Sequence, residues 1–153
     1  MNSQAVSKIK NSVRGFTLIE ILLVISIMTI IGVFVPPIGM SFYRAQQLNE
    51  TSDGLMSALR QAQIFALTDK GNQSYGVYIQ QDKYVVFKGA EYATRVESED
   101  LVFPIATSVS VVGPSEVVFS ELTGEPSVTG NFVISSVNRE RQIKILTSGN
   151  IDR

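Results

Sequence analysis

Residues 14–37 read RGFTLIEILLVISIMTIIGVFVPP, from Arg14 to Pro37. Between Phe16 and Val35 only Thr17, Glu20, Ser26 and Thr29 interrupt an apolar run of about 20 residues. As a helix such a run rises about 30 Å, the thickness of a bilayer's hydrocarbon core. The hydroxyls can bond back to their own helix, but Glu20 has no such escape. A carboxylate at bilayer depth costs roughly 2.5–3.5 kcal/mol or more and marks a functional position. Were the chain cut after Gly15, the new Phe16 ammonium would stand four residues, or about 6 Å of helical rise, from Glu20. The two charges would attract strongly in a low dielectric, within one chain or between neighbours in a bundle, and each would offset part of the other's desolvation.

Two plainer readings of the stretch explain less. A secretory signal has an apolar region of roughly 7–15 residues ending at a small-residue cleavage site. This run is longer, contains Glu20 and ends in Val35-Pro36-Pro37. An uncleaved membrane anchor explains the run but not its acid.

The remainder of the chain suits one small domain. Of 153 residues, 44% are hydrophobic, which leaves material for a core once the apolar run is set aside. The formal charge of −1 hides an asymmetry, because Lys8, Lys10 and Arg14 lie in residues 1–15 with no acid among them. Without those three, 10 bases face 14 acids, about −4. Basic residues before the run, and only Arg44 soon after it, place the N-terminus in the cytoplasm and the rest across the membrane. The chain has no cysteine and no histidine. That removes disulfides, Cys–His and Ser–His pairs, the usual general base and the usual metal ligand.

Pro36 and Pro37 lack backbone donors and are expected to disturb the helix, with Gly32 and Gly39 loosening it further. The periodicity predicts a resumed helix over about 40–70. Leu48, Leu55, Leu59, Ala62 and Ala66 fall on one face, Ser52 fills the gap in the row, and Gly71-Asn72 ends it. Beyond Gly71 the period becomes two. Tyr75, Val77 and Ile79 lead into a hairpin turning near Gln81-Asp82, with Lys83–Lys88 as the returning strand. Residues 89–100, with Glu91, Glu97, Glu99 and Asp100, read as a solvated loop without calcium-loop spacing. Further strands are expected at Val102–Phe103, Ser108–Val112, Glu116–Ser120, Asn131–Ser136 and Gln142–Thr147, with Val137-Asn138-Arg139-Glu140 as the last hairpin loop. A long helix followed by short antiparallel strands makes the fold class α+β.

The segment Arg14-Gly15-Phe16-Thr17-Leu18-Ile19-Glu20, its apolar helix and Pro37 together resemble the class III signal of type IV prepilins and type II secretion pseudopilins. The resemblance implies a leader at 1–15, cleavage between Gly15 and Phe16 by prepilin peptidase, and N-methylation of Phe16. It implies filament assembly through Glu20, with Pro37 as a helix-loosening position. It divides the remainder into a transmembrane and assembly helix at 16–37, an amphipathic spine at 38–71 and a head at 72–153. A Leu-x-x-Ala helix leading into a hairpin, then Val118-Phe119-Ser120 before Gly124 and a closing Ser148-Gly149, is similar to the GspH/FimT minor pseudopilins and minor pilins. That implies a β-sandwich head, a single-pass bacterial inner-membrane location with the head outside the cytoplasm, and a pilus or pseudopilus as destination. The implied partners are prepilin peptidase, other pilin subunits and the assembly platform.

No spacing assembles a catalytic site or a phosphate-binding glycine loop, so no enzyme activity, metal or cofactor is expected. Asn49-Glu50-Thr51 and Asn72-Gln73-Ser74 are formal glycosylation sequons of the kind that arise by chance. One alternative function comes with the resemblance, since some FimT-type minor pilins take up DNA through a C-terminal Gly-Arg-x-Arg-like motif. Here the tail reads Gly149-Asn150-Ile151-Asp152-Arg153, so only Gly149 and Arg153 match. Arg139 and Arg141 lie upstream with Glu140 between them. A DNA face needs clustered Lys and Arg, and an acidic chain disfavours nucleic acid unless the fold gathers its bases.

Overall fold

The computed structural model describes residues 15–68, 72–137 and 139–153, with the side chains of 34–38 outside the description. The expected leader at 1–14, with Lys8, Lys10 and Arg14, lies outside the described residues, as do Asp69, Lys70, Gly71 and Asn138. The chain divides into two compact units, Met1–Gly39 and Met40–Arg153.

A single helix, α1, is assigned from Leu18 to Thr68. The interruption expected at Pro36-Pro37 is absent from this assignment, although neither proline can donate to the ladder. A fixed φ near −65° is itself helical, so two missing donors thin the ladder without moving the backbone off helical angles.

In the first unit Ser26 Oγ donates to Leu22 O and Thr29 Oγ1 to Ile25 O, each at 2.8 Å. This is the back-bonding expected of hydroxyls in an apolar helix. The large apolar side chains from Leu18 to Val33 are all exposed, on every side of the helix. A helix apolar all round is normally buried in something else. Among the described residues no helix is long and apolar enough to cross a membrane. Leu18 to Val33 rises about 24 Å, short of the roughly 30 Å core, and the next side chains, from Phe34 on, fall outside the description.

The second unit carries eight strands: β1 (Tyr75–Ile79), β2 (Lys83–Lys88), β3 (Leu101–Pro104), β4 (Ser110–Val112), β5 (Glu116–Phe119), β6 (Gly130–Ser136), β7 (Arg139–Ile145) and β8 (Ile151–Asp152). They form two four-stranded sheets, ordered β3-β2-β1-β5 and β4-β6-β7-β8. Every pairing is antiparallel. The α+β class follows. Leu48, Ser52, Leu55, Leu59, Ala62 and Ala66 are buried as their spacing requires. They share one core with Val77, Tyr84, Val86, Val117 and Phe119 of the first sheet and Phe132, Ile134, Ile143, Ile145 and Ile151 of the second. Asn72 takes a φ of 49°, the left-handed turn that asparagine tolerates after a helix.

Three sequence expectations are corrected here. The last hairpin closes between Ser136 and Arg139, which pair directly, so Arg139 and Glu140 belong to β7 rather than to a loop. The short strand β8, in the tail, is additional; Ile151 pairs with Ile145 and is buried. Residues 89–100 are not a freely solvated loop. They hold two short 3-10 turns, Tyr92–Thr94 and Glu97–Glu99. Tyr92 stacks on Tyr78 at 3.9 Å and meets Phe87 edge-on. Arg95 lies over the Tyr92 ring at 3.8 Å and donates from Nε to Asp100 Oδ2 at 2.7 Å. The loop thus covers the outer side of the first sheet. That explains why Tyr84, Val85, Val86 and Phe87 are buried in succession where a one-sided strand would alternate.

Candidate functional site

The N-terminal site is built by local chemistry alone. Gly15, Phe16 and Thr17 are exposed and outside any regular element, and α1 starts at Leu18. Thr17 is the N-cap: its Oγ1 accepts from the Glu20 backbone N–H at 3.3 Å. Thr17-Leu18-Ile19-Glu20 therefore fits the capping-box pattern, a threonine followed three residues later by glutamate. That signal is legible in the sequence itself. Glu20 lies in the first helical turn, where the macrodipole favours a negative charge. The helix does not extend back to Phe16, so the spacing of about 6 Å from helical rise does not describe Phe16 and Glu20 in the uncleaved chain. Pro37 is helical in its backbone, and its side chain is among those not described.

The second site lies wholly within the Met40–Arg153 unit. Ser136 on β6 and Arg139 on β7 face one another across the pair, as do Ile134 and Arg141, and Phe132 and Ile143. Cross-strand partners share a face, and alternate residues along a strand share it too. Ser136, Arg139 and Arg141 therefore continue the core-facing side of β6–β7 beyond its apolar part. Glu140 is on the opposite face. Glu140 nonetheless lines the cleft that holds Arg139 and Arg141, although it forms no ion pair with either among the described residues.

Two adjoining clefts result. One, of about 340 Å³, is lined by Ser41, Arg44, Ala45, Leu48, Ser136, Val137 and Arg139. The other, of about 390 Å³, includes Arg139, Arg141 and Arg153 together with Glu140. The fold thus gathers the three arginines singled out from sequence and adds Arg44, which sequence reasoning used only for topology. Arg153 is partly engaged, its guanidinium 2.9 Å from Asp53. Among the described residues no ion pair holds Arg44, Arg139 or Arg141. Ser136 Oγ is buried without a hydrogen-bond partner.

Gly149, the other match to the DNA-uptake motif, has a packing role. Its φ is 78°, and a Cβ there would lie 2.6 Å from Gln63 Nε2 and 2.9 Å from Gly124 O. Gln63 Nε2 donates to both Gly124 O and Gly149 O and so fastens two loops to α1.

No curated protein and no solved structure is significantly similar to the chain. Residues 10–35 match the prokaryotic N-terminal methylation motif, a match that takes in Gly15, Phe16 and Glu20 and supports a type IV prepilin-like protein.

Proposed function

We propose that the chain is a structural subunit, a minor pilin or pseudopilin of the GspH/FimT kind. In this reading prepilin peptidase cleaves between Gly15 and Phe16, and Phe16 is N-methylated. The apolar helix holds the subunit in the inner membrane and then packs it into a pilus or secretion pseudopilus. The observation that carries the reading is the helix from Leu18 to Val33, apolar and exposed on every side, headed by Glu20 and lying inside the matched motif. Such a surface needs lipid before assembly and neighbouring helices after it. Cleavage would free an ammonium at Phe16 beside the capped first turn, giving Glu20 of its own or a neighbouring subunit a partner of opposite charge. The chain's part is mechanical; the covalent steps belong to the peptidase.

A DNA-binding minor pilin would use Arg139, Arg141 and Arg153, and their clustering favours that reading more than the sequence does. The arginines line clefts, however, and Arg153 is shared with Asp53. A duplex is held by charges repeated along a track. The structural reading is therefore kept.

The test is Glu20→Leu. In a merely anchored protein this removes a penalty of roughly 2.5–3.5 kcal/mol and costs nothing. In a filament it strands a buried ammonium, at about 3–5 kcal/mol, which lowers incorporation by more than about a hundredfold. The variant should be processed and membrane-held yet scarce in sheared filaments. A filament-to-membrane ratio equal to wild type at equal expression refutes the assembly role.

A further inference from the structure

The Ser136–Arg139 end of the β6–β7 pair gathers the groups that an anion would need. Arg44, Arg139 and Arg141 line adjoining clefts, the first without an acidic residue and the second with Glu140, and none of the three is in an ion pair among the described residues. Ser136 is 8% exposed and its hydroxyl, at the wall of the first cleft, bonds to nothing. A buried hydroxyl is ordinarily satisfied, so one without a protein partner leaves a donor for a bound group or a water. Guanidinium forks and a hydroxyl are the donors that fit a phosphate oxyanion.

Val137 in the cleft wall, and apolar residues adjacent in sequence to Arg44, narrow the source of the phosphate. Val137, at the hairpin tip between Ser136 and the turn, is 73% exposed with a φ of 33°. A β-branched residue in that region is a backbone outlier, held where the surrounding structure demands it. Met40, Phe42 and Tyr43, in the helical turn that carries Arg44, are exposed as well. Arginines interleaved with exposed aromatic and aliphatic side chains are the signature of a surface lying at a lipid headgroup boundary. Met40 also follows the end of the apolar run, at Val35, by at most about 18 Å of chain.

We infer that this end of the Met40–Arg153 unit docks on an anionic bilayer, a phospholipid phosphate entering the cleft between Arg44, Ser136 and Arg139. The inference rests on the membrane-held reading given above. Docking would hold the subunit against the membrane until neighbouring subunits replace lipid around its helix. The complementary charge is supplied by the bilayer, since this face carries more arginine than acid.

The chain lacks cysteine, so Val137→Cys gives one site for an environment-sensitive dye on the full-length protein in lipid nanodiscs. Discs of phosphatidylcholine are compared with discs containing phosphatidylglycerol. The dye should report a drier environment only with the anionic lipid. Each arginine near a charged surface contributes a factor of about fivefold, so Arg139→Gln and Arg141→Gln should each lower the docked-to-free ratio by that much. Ser136→Ala, which removes an unpartnered hydroxyl and leaves the fold at least as stable, should lower it too. Inorganic phosphate should reverse docking better than sodium chloride at equal ionic strength.

A dye response equal in both lipids, or absent from both, overturns the inference, as does a Ser136→Ala variant that docks like wild type. A response to inorganic phosphate in neutral discs with none to the anionic lipid assigns the cleft to a soluble phosphate. A response only to added duplex oligonucleotide assigns it to nucleic acid. Either result overturns the lipid source. A chain that leaves the discs altogether refutes the membrane-held reading and this inference with it; one that stays without responding refutes this inference alone.

Discussion

Gly54→Ala tests the packing of α1 on the first sheet, because two ordinary rules give opposite signs. In an open helix, replacing glycine by alanine gains about 0.8–1.0 kcal/mol, by removing conformational freedom from the unfolded chain. At Gly54 a Cβ would meet Tyr84 Oη at 2.5 Å, while the next ring atom, Cζ, lies at 3.7 Å. The first distance is a collision and the second is ordinary contact. Tyr84 is buried and stacked on Phe103 at 5.2 Å, so its ring has little room to withdraw. Overpacking of this kind costs typically 1–3 kcal/mol. The net effect of Gly54→Ala in the wild type is thus a change of about 0 to 2 kcal/mol toward instability. Removing the hydroxyl with Tyr84→Phe leaves only the contact with Cζ, and in that background Gly54→Ala should stabilise by nearly the full 1 kcal/mol or so. A double-mutant cycle by urea unfolding in mild detergent, followed by circular dichroism, should give a coupling of about 1–3 kcal/mol. Gly54→Ala stabilising both backgrounds equally would refute the close approach of α1 to Tyr84.

Gly15→Val should leave the full-length precursor in the membrane, because a peptidase cleft that admits glycine beside the bond excludes a branched side chain. Mass spectrometry finding an intact Met1 terminus on the wild-type protein would refute processing there. Burial pushes the Tyr84 phenol above its usual value of 10.0. The folded state therefore keeps that proton longer than the unfolded state. Its contribution is fully present below pH 10 and is lost as pH rises through the folded value. Urea midpoints measured on either side of pH 10 should fall more for wild type than for Tyr84→Phe. Arg95→Ala removes the cap on the Tyr92 ring and the bond to Asp100, whose other oxygen, Oδ1, is buried without a partner. Hydrogen exchange should quicken at residues 89–100 and stay unchanged in β6 and β7; uniform quickening would show that the loop is not a separate cover.

The N-terminal segment was legible in sequence, since each of its properties is local. A long apolar run is visible as composition, an acid within it is conspicuous by its cost, and a cap is set by residues three apart. The capping box at Thr17–Glu20 is equally local. The amphipathic face from Leu48 to Ala66 and the β1–β2 hairpin followed from period alone. The basic site could not be found that way. Neighbouring letters suggest that Glu140 cancels Arg139 and Arg141, but it forms no ion pair with either among the described residues, and only the β6–β7 register sets Ser136 opposite Arg139. Arg44 and Arg153 join them from the helix and the tail because hydrophobic burial packs α1 and β8 on the same core. Gly149 looked like part of a recognition motif until Gln63 and Gly124 enclosed it. Period and composition act along the chain, whereas a charge cluster is made by segments far apart in sequence. Its members are set by whichever segments the core draws together, and that is decided by tertiary packing.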